Sequence, residues 1–310
     1  MGIAAAVNQF KFPNIVAETE GMEYEEWKKL RMGFIGGSDA AAVIGLSRYK
    51  TPVSVYFSKT EELQEDFSDR SLKKMEMGHL MEPVIAMKFA EVTGKHVVRQ
   101  SYFYSHPEHS FMGANIDFGI YGENAGLEVK NSAYRDDWKD GEVPDEYFIQ
   151  CQHYMAVTGA DRFYLAYLLE GWDFNYVTIQ RDEVIINELI RREKEFWETH
   201  VARRQPPAFD GSESAKALLK LLYPAENESL EPAELTEEVD AMWEKEKEIS
   251  EAIKNLTTQK DEIRNKISAM IGEHSTGISN KWVFSYKTVN RSGYTVEPAS
   301  FRQLRAKARK

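Results

Sequence analysis

The stretch GANIDFGIYGENAGLEVKN, Gly113 to Asn131, decides how this chain is read. Two runs of strand-forming residues flank the four-residue turn Gly122 to Ala125, and that pattern predicts a β-hairpin. With Tyr121 set against Gly126, Gly119 opposes Glu128 and Asp117 opposes Lys130. Side chains alternate along a strand, so Asp117, Glu128 and Lys130 then share one face of the sheet. The plain reading is an ion pair between Asp117 and Lys130 on a wet face, with Glu128 exposed. Ile116, Phe118, Leu127 and Val129 are residues that a buried strand favours, however, and helices predicted on both sides leave little wet face.

Working outward, the run GHLMEPVIAMKFAEVTG before the hairpin is apolar nearly all round and predicts a buried helix that stops at Gly94. Glu82 lies in it, where an ionised carboxylate is costly unless a cation or hydrogen bonds compensate. Its plain alternative is a salt bridge at the helix start, favoured by the helix dipole. After the hairpin, the helix DEYFIQCQHYMAVTG sets Gln150 and Tyr154 four residues apart and so on one face. Three carboxylates and a lysine make a site for a hard cation. Mg²⁺ takes one or two carboxylates together with water and phosphate oxygens, and such a site suits hydrolysis of a phosphodiester. Lys130 would then position the attacking water or offset charge growing on phosphorus.

The remaining pattern is mixed α/β. A helix runs to about Leu30, followed by a Gly36-Gly37 turn, a short helix with Ser38 as N-cap, and a helix opening at Thr51-Pro52. Glu61 to Asp69 reads as a solvated acidic loop or helix end. Strands are expected at Val97 to Ser105, Gly113 to Tyr121, Leu127 to Asn131, RFYLAYLL and FNYVTIQ, then a long helix from Asp182 to about Val201. RRQPPAFD reads as a linker. Beyond Pro232, positions 235 to 270 step alternately by four and three. Nine of the eleven positions on this seam are apolar, Glu246 and Lys260 being the exceptions, so the texture is a heptad helix ending at Gly272. A strand at Trp282 to Phe284, a turn at Asn290 to Gly293 and a basic close follow.

The 310 residues carry a formal net charge of -11, yet the last 35 hold eight basic and one acidic side chain. Global acidity governs solubility, whereas a local basic patch still meets phosphate. A single cysteine, Cys151, excludes a disulfide framework and any four-thiolate site built by one chain. Any metal would therefore be held by oxygen. No apolar run is long enough to span a bilayer and the first residues lack a secretory pattern, so a cytoplasmic protein is expected.

Ile116-Asp117 followed by Glu128-Val129-Lys130 resembles the PD-(D/E)xK nuclease signature, with Ile in place of Pro. WKKLRMGFIGGSDAAAVIG, GHLMEPVIA, GANIDFGIYG, LEVKN and QCQHYMAVTG occur in the order of the lambda-exonuclease type, also called YqaJ-like viral recombinases. The resemblance covers roughly residues 20 to 200, and less specifically the C-terminal part. It implies an α/β, restriction-endonuclease-like core with a mixed central sheet flanked by helices, over residues 1 to 205. Residues 206 to 310 would form an extension with the long, coiled-coil-like helix, at about 232 to 272, and a short β-hairpin.

The activity implied is processive, Mg²⁺-dependent 5′-to-3′ exonuclease action on double-stranded DNA ends, with Mn²⁺ as a substitute metal. It would release mononucleotides and leave a 3′ single strand for a single-strand annealing protein in phage recombination. A homotrimeric ring around the DNA is the expected assembly. By the same resemblance Glu82, Asp117 and Glu128 would be metal ligands, with the Val129 carbonyl as a further one and Lys130 as the catalytic lysine. Gln150, with Gln152 as the other candidate, would orient the scissile phosphate or the lysine, supported by Tyr154. Arg31 and Ser38 match positions that hold the 5′-phosphate. The physical reading agrees, since Arg offers a bidentate fork and Gly36, Gly37 and Ser38 turn backbone N–H groups toward an anion. Arg48 and Lys50 are further DNA-contact candidates. The competing readings are an endonuclease on the same core and a catalytically silent DNA-binding scaffold.

Overall fold

The computed structural model describes residues 12–61, 69–133, 135, 138, 142–290, 293, 304 and 306. Most of the acidic stretch after Glu61, the centre of the turn at Asn290 to Gly293 and nearly all of the basic close lie outside the described residues. The chain divides into two compact units, Met1–Tyr223 and Pro224–Lys310.

The first unit is built on a five-stranded sheet in the order β2 (Val97–Arg99), β5 (Phe118–Ile120), β6 (Ala125–Ser132), β7 (Arg162–Leu169) and β8 (Asp173–Gln180). The β6–β7 pair is parallel and the other pairs are antiparallel, so the sheet is mixed. A parallel neighbour needs a crossover, and the helix α5 (Asp145–Thr158) supplies it. β7 is apolar on both faces because it is covered on both: Phe163, Leu165 and Tyr167 pack with Cys151 and Met155 of α5, whereas Tyr164 and Ala166 pack with Ile85 and Phe89 of α4 (Asp69–Thr93). A smaller antiparallel sheet is ordered β1 (Ile15–Glu18), β3 (Tyr102–Ser105), β4 (Gly113–Asn115). Three short helices lead into this core: α1 (Tyr24–Met32), α2 (Gly37–Val43) and α3 (Pro52–Thr60). After β8 come α6 (Glu183–Phe196), extended by a π-turn to Val201, and α7 (Glu213–Leu222).

Three expectations are corrected. The runs 97–105 and 113–121 are not single strands: each breaks in the middle and passes from one sheet to the other, at Gln100-Ser101 and at Ile116-Asp117. The breaks lie side by side, the Gln100 N–H donating to the Asp117 carbonyl at 3.0 Å. The apolar helix α4 is buried on one stripe only, because one layer of helix touches the sheet along one face. Ile85 and Phe89 are buried, whereas Leu80, Val84 and Met87 are exposed. Finally, Gly36 rather than Ser38 is the N-cap of α2, and Ser38 sits in the first turn. The competing group is Asp39, whose carboxylate accepts from the Gly36 N–H at 3.3 Å.

The second unit holds the 35-residue helix α8 (Glu237–Ile271) and a hairpin of β9 (Thr276–Ile278) and β10 (Val283–Ser285). Gly272 caps α8, where the heptad pattern stops. Among the described residues no helix is long and apolar enough to cross a membrane.

Candidate active site

The hairpin of β5 and β6 is present, in a different register from the one expected. Phe118 pairs with Leu127 and Gly119 with Gly126, so the four-residue loop runs Tyr121 to Asn124. Starting the loop one residue earlier moves the positive-φ Gly122 to its second position and shifts the pairing by two. Side chains repeat every two residues, so the faces survive the shift while the partners change. One step beyond the last pair, Asp117 now stands level with Glu128.

Glu128 is almost fully buried, at 2% exposure, and faces α5. Its Oε1 accepts from Lys130 Nζ at 2.6 Å and from Gln150 Nε2 at 2.8 Å. Gln150 Nε2 also donates to the Tyr154 hydroxyl at 2.9 Å. Asp117 Oδ2 accepts from the Val129 N–H at 3.1 Å. Glu128 Oε2 is buried and has no hydrogen-bond partner. Burial, then the Asp117 charge, push the Glu128 carboxyl up to about 8. Asp117 is likewise raised by burial, opposed by Lys130 and reinforced by Glu82. Burial alone would pull the Lys130 ammonium down, but the two carboxylates outweigh it and hold its pKa above the ordinary lysine value. Two carboxylates in contact in a dry setting require a shared proton or a cation. The orphaned Glu128 oxygen beside Asp117 is the donor pair that a hard divalent ion would take.

Glu82 approaches from α4. It lines a cavity of about 470 Å³ together with Asp117, Asn115 and Arg99, and an adjoining one of about 240 Å³ with Val129 and Lys130. Its Oε2 lies 3.4 Å from Arg99 Nη2. The helix begins at Asp69, so Glu82 is mid-helix and not at the start as expected, and the ion pair comes from a neighbouring strand while the carboxylate still faces the site. Among the described residues no three His, Cys, Asp or Glu side chains close into a complete ligand set. The site is thus an inner pair, Asp117 and Glu128, with Glu82 across open space.

Gln152 is turned elsewhere. Its Nε2 donates to the Gln180 carbonyl at 2.8 Å and its Oε1 accepts from the Asp182 N–H at 3.0 Å, stitching α5 to the end of β8. Of the two glutamines, the structure brings Gln150 to the carboxylates.

A second polar centre lies at α1 and α2. Arg31 Nη2 donates to Ser38 Oγ at 3.3 Å and stacks over Trp27 at 4.6 Å. Behind it, the buried Asp39 carboxylate takes Lys50 at 2.7 Å and Lys59 at 2.8 Å, with Arg31 at 4.0 Å. Burial would lift the Asp39 carboxyl, but these cations hold it well below the usual carboxylate value. Lys59 is itself lowered, first by burial and then by the Arg31 and Lys50 charges working against Asp39. Three cations around one anion leave positive charge beside a pocket of about 190 Å³ that Lys28, Arg31, Lys50 and Lys59 line. Arg48 is engaged with Glu146 at the start of α5, at 2.7 Å. Gly37 lies against the Tyr154 ring so closely that a Cβ there would overlap it. That contact joins the basic centre to the carboxylate site.

The profile of the YqaJ-like viral recombinase domain matches residues 26–161. The protein YqaJ of Bacillus subtilis (strain 168), itself uncharacterized, is 34% identical over 283 residues, which span 90% of this chain and 88% of the relative. The chain belongs to the YqaJ-like viral recombinase family. Among solved structures, the alkaline exonuclease LHK-Exo of Laribacter hongkongensis aligns with a TM-score of 0.48 and 21% identity, over 58% of this chain and 96% of that one. A phage-related exonuclease of Haemophilus somnus 129PT aligns with a TM-score of 0.42 and 14% identity, over 57% and 99%.

In this YqaJ-like chain the matched segment contains Arg31, Ser38, Glu82, Asp117, Glu128, Lys130, Gln150 and Tyr154. Sequence reasoning missed Asp39 as the anchor of the basic centre, Lys59 on the following helix, and Arg99 as the partner of Glu82. Only Asp39 left a signal: an acidic residue at the third position of a helix whose N-cap is glycine. The other two meet their partners through packing between separate segments.

Proposed function

We propose that this chain is a metal-dependent deoxyribonuclease that degrades double-stranded DNA from its ends in the 5′-to-3′ direction. The observation that carries the reading is the buried pair Asp117 and Glu128, with Lys130 bonded to Glu128, in a YqaJ-like chain. Asp117 and Glu128, with the Val129 carbonyl and Glu82, would hold Mg²⁺, for which Mn²⁺ would substitute. Such an ion, when bound, polarises a phosphoryl oxygen and makes water a competent nucleophile near neutral pH. Lys130 would position that water or offset charge on the phosphate. Gln150 aligns Glu128 and Lys130 through the shared Oε1, and Tyr154 holds the Gln150 amide. Arg31 and Ser38 bind the 5′-phosphate of the end, together with the Gly37 backbone N–H at the start of α2, and Arg48 flanks the duplex. The product is a 3′ single strand, handed to a single-strand annealing protein in the cytoplasm, and a homotrimeric ring would keep the enzyme on its substrate.

The deciding experiment offers the chain linear duplex with 5′-phosphate or 5′-hydroxyl ends and covalently closed circles, in Mg²⁺ and in chelator. Mononucleotide release from phosphorylated linear duplex alone, abolished by chelator and by Asp117→Ala, is expected. Arg31→Ala should erase the preference for the phosphorylated end. Cutting of closed circles at the linear rate, or full activity of Asp117→Ala, would overturn the reading.

A further inference from the structure

Helix α8 displays a long apolar seam. At heptad positions from Val239 to Met270 the only polar residues are Glu246 and Lys260. Ile249, Ile253, Leu256 and Ile263 are 50 to 63% exposed, and Met270 85%. Apolar heptads sustained for this length form coiled coils, and a contiguous exposed apolar stripe marks an association surface.

The two charged exceptions select the occupant. In a parallel, in-register pair, a positions face each other, so Glu246 would stack on Glu246 and Lys260 on Lys260. A parallel pair staggered by two heptads makes one Glu–Lys contact but leaves seam bare at both ends and does not close. Antiparallel pairing resolves both conflicts. We propose that α8 packs antiparallel against α8 of a second copy of this chain, in a register centred between Lys254 and Asn255. Val239 then faces the partner's Met270, Met242 the partner's Ile267, and Ile253 the partner's Leu256. Glu246 and the partner's Lys260 fall in adjacent layers on the same side of the seam. At 1.5 Å per residue they are offset by about 4.5 Å along the axis, within reach of both side chains. The partner's Arg264 stands nearly level with Glu246 and adds a second cation, and the two-fold axis repeats the whole set. The like-charged contact of Lys245 with the partner's Lys266 lies on the rim, where each lysine already pairs within its own helix, with Glu248 at 2.9 Å and Glu262 at 2.6 Å. None of the residues invoked for catalysis lies on α8, and because a two-fold pair cannot be completed by all three copies of one ring, in a trimeric assembly this contact joins copies of neighbouring rings.

The test uses the full chain, whose one native cysteine, Cys151, is buried. Met242→Cys and Ile267→Cys variants are mixed and oxidised, and each is also oxidised alone. The mixture should cross-link and Met242→Cys alone should not, because antiparallel packing sets the two copies of position 242 about 37 Å apart. Glu246→Lys and Lys260→Glu should each weaken association, read by sedimentation and cross-link yield, by about tenfold or more, since two attractions become two repulsions. The double variant Glu246→Lys with Lys260→Glu should recover association to within about threefold. Cross-linking of Met242→Cys to itself would establish a parallel pair and overturn the proposal. Absence of any cross-link in the mixture would assign the seam to a different protein and overturn it as well. Single swaps without effect, or a double variant that fails to recover, would refute the charge pairing and the proposal with it.

Discussion

Asp117 and Glu128 stand level across the β5–β6 hairpin, and the backbone N–H of Val129 donates to Asp117 Oδ2 at 3.1 Å. Asp117 is thereby fixed by the strand that carries its partner carboxylate. Asn at this position keeps an oxygen for the Val129 N–H while removing the charge. Asp117→Asn should therefore fold normally, gain about 0.5–2 kcal/mol in metal-free buffer from relief of the buried like-charge contact, and lose more than about 100-fold in nucleotide release. Urea unfolding and an end-labelled duplex assay measure the two. A variant both less stable and fully active would contradict the arrangement.

Tyr154 acts on the site through one hydroxyl, which accepts from Gln150 Nε2 at 2.9 Å. Tyr154→Phe leaves that buried donor short of a partner, at a cost of about 1–3 kcal/mol, and frees the amide that orients Glu128. Turnover should fall by about 10- to 100-fold with KM nearly unchanged. A rise in KM alone would place Tyr154 in end binding instead.

The Gly37 contact with the Tyr154 ring leaves no room for a methyl group. Gly37→Ala should destabilise by about 1–3 kcal/mol through overpacking and lower both turnover and the preference for 5′-phosphorylated ends. Gly78, in α4, has open space around the same atom, so Gly78→Ala should gain about 0.5–1 kcal/mol. Thermal melts of the pair separate local crowding from a general effect of the substitution.

Asp39 and Lys59 form a buried pair, the two side chains 2% and 4% exposed. Asp39→Asn leaves Lys59 without its anion, and a loss of about 3–5 kcal/mol follows. The pH dependence has a definite sign. Its cationic neighbours hold the folded Asp39 carboxyl well below the ordinary aspartate value of 3.8, so its contribution is complete above that value and disappears as pH falls through the lower folded pKa. On the acid side, the stability gap between the native chain and Asp39→Asn should close only as pH falls below that value. A gap that widened in acid would place the charge pairing elsewhere.

Much of this molecule was legible in its residues. Alternation in Leu127 to Lys130 separates apolar from charged side chains whatever the register, which is why the site face was readable although the pairing expected for the hairpin was off by two. The apolar run at Arg162 to Leu169 announced a strand covered on both sides, and the Gly-terminated heptads announced α8, because local periodicity is set by backbone geometry alone.

Tertiary structure decided the rest. Whether Asp117 meets Lys130 or Glu128 depended on where Gly122 falls in the turn. That one strand leaves its sheet at Asp117 depended on a neighbouring strand breaking beside it at Gln100. Asp39 needed Lys50 and Lys59, from a loop and a separate helix, to remain ionised out of water, and Glu82 meets Arg99 from a separate strand. Short-range pattern determines which face a side chain takes, since that follows from bonds a few residues apart. Which charge it meets is set by long-range packing, because the cost of an unpaired buried charge is borne by whichever segment the fold brings within about 4 Å.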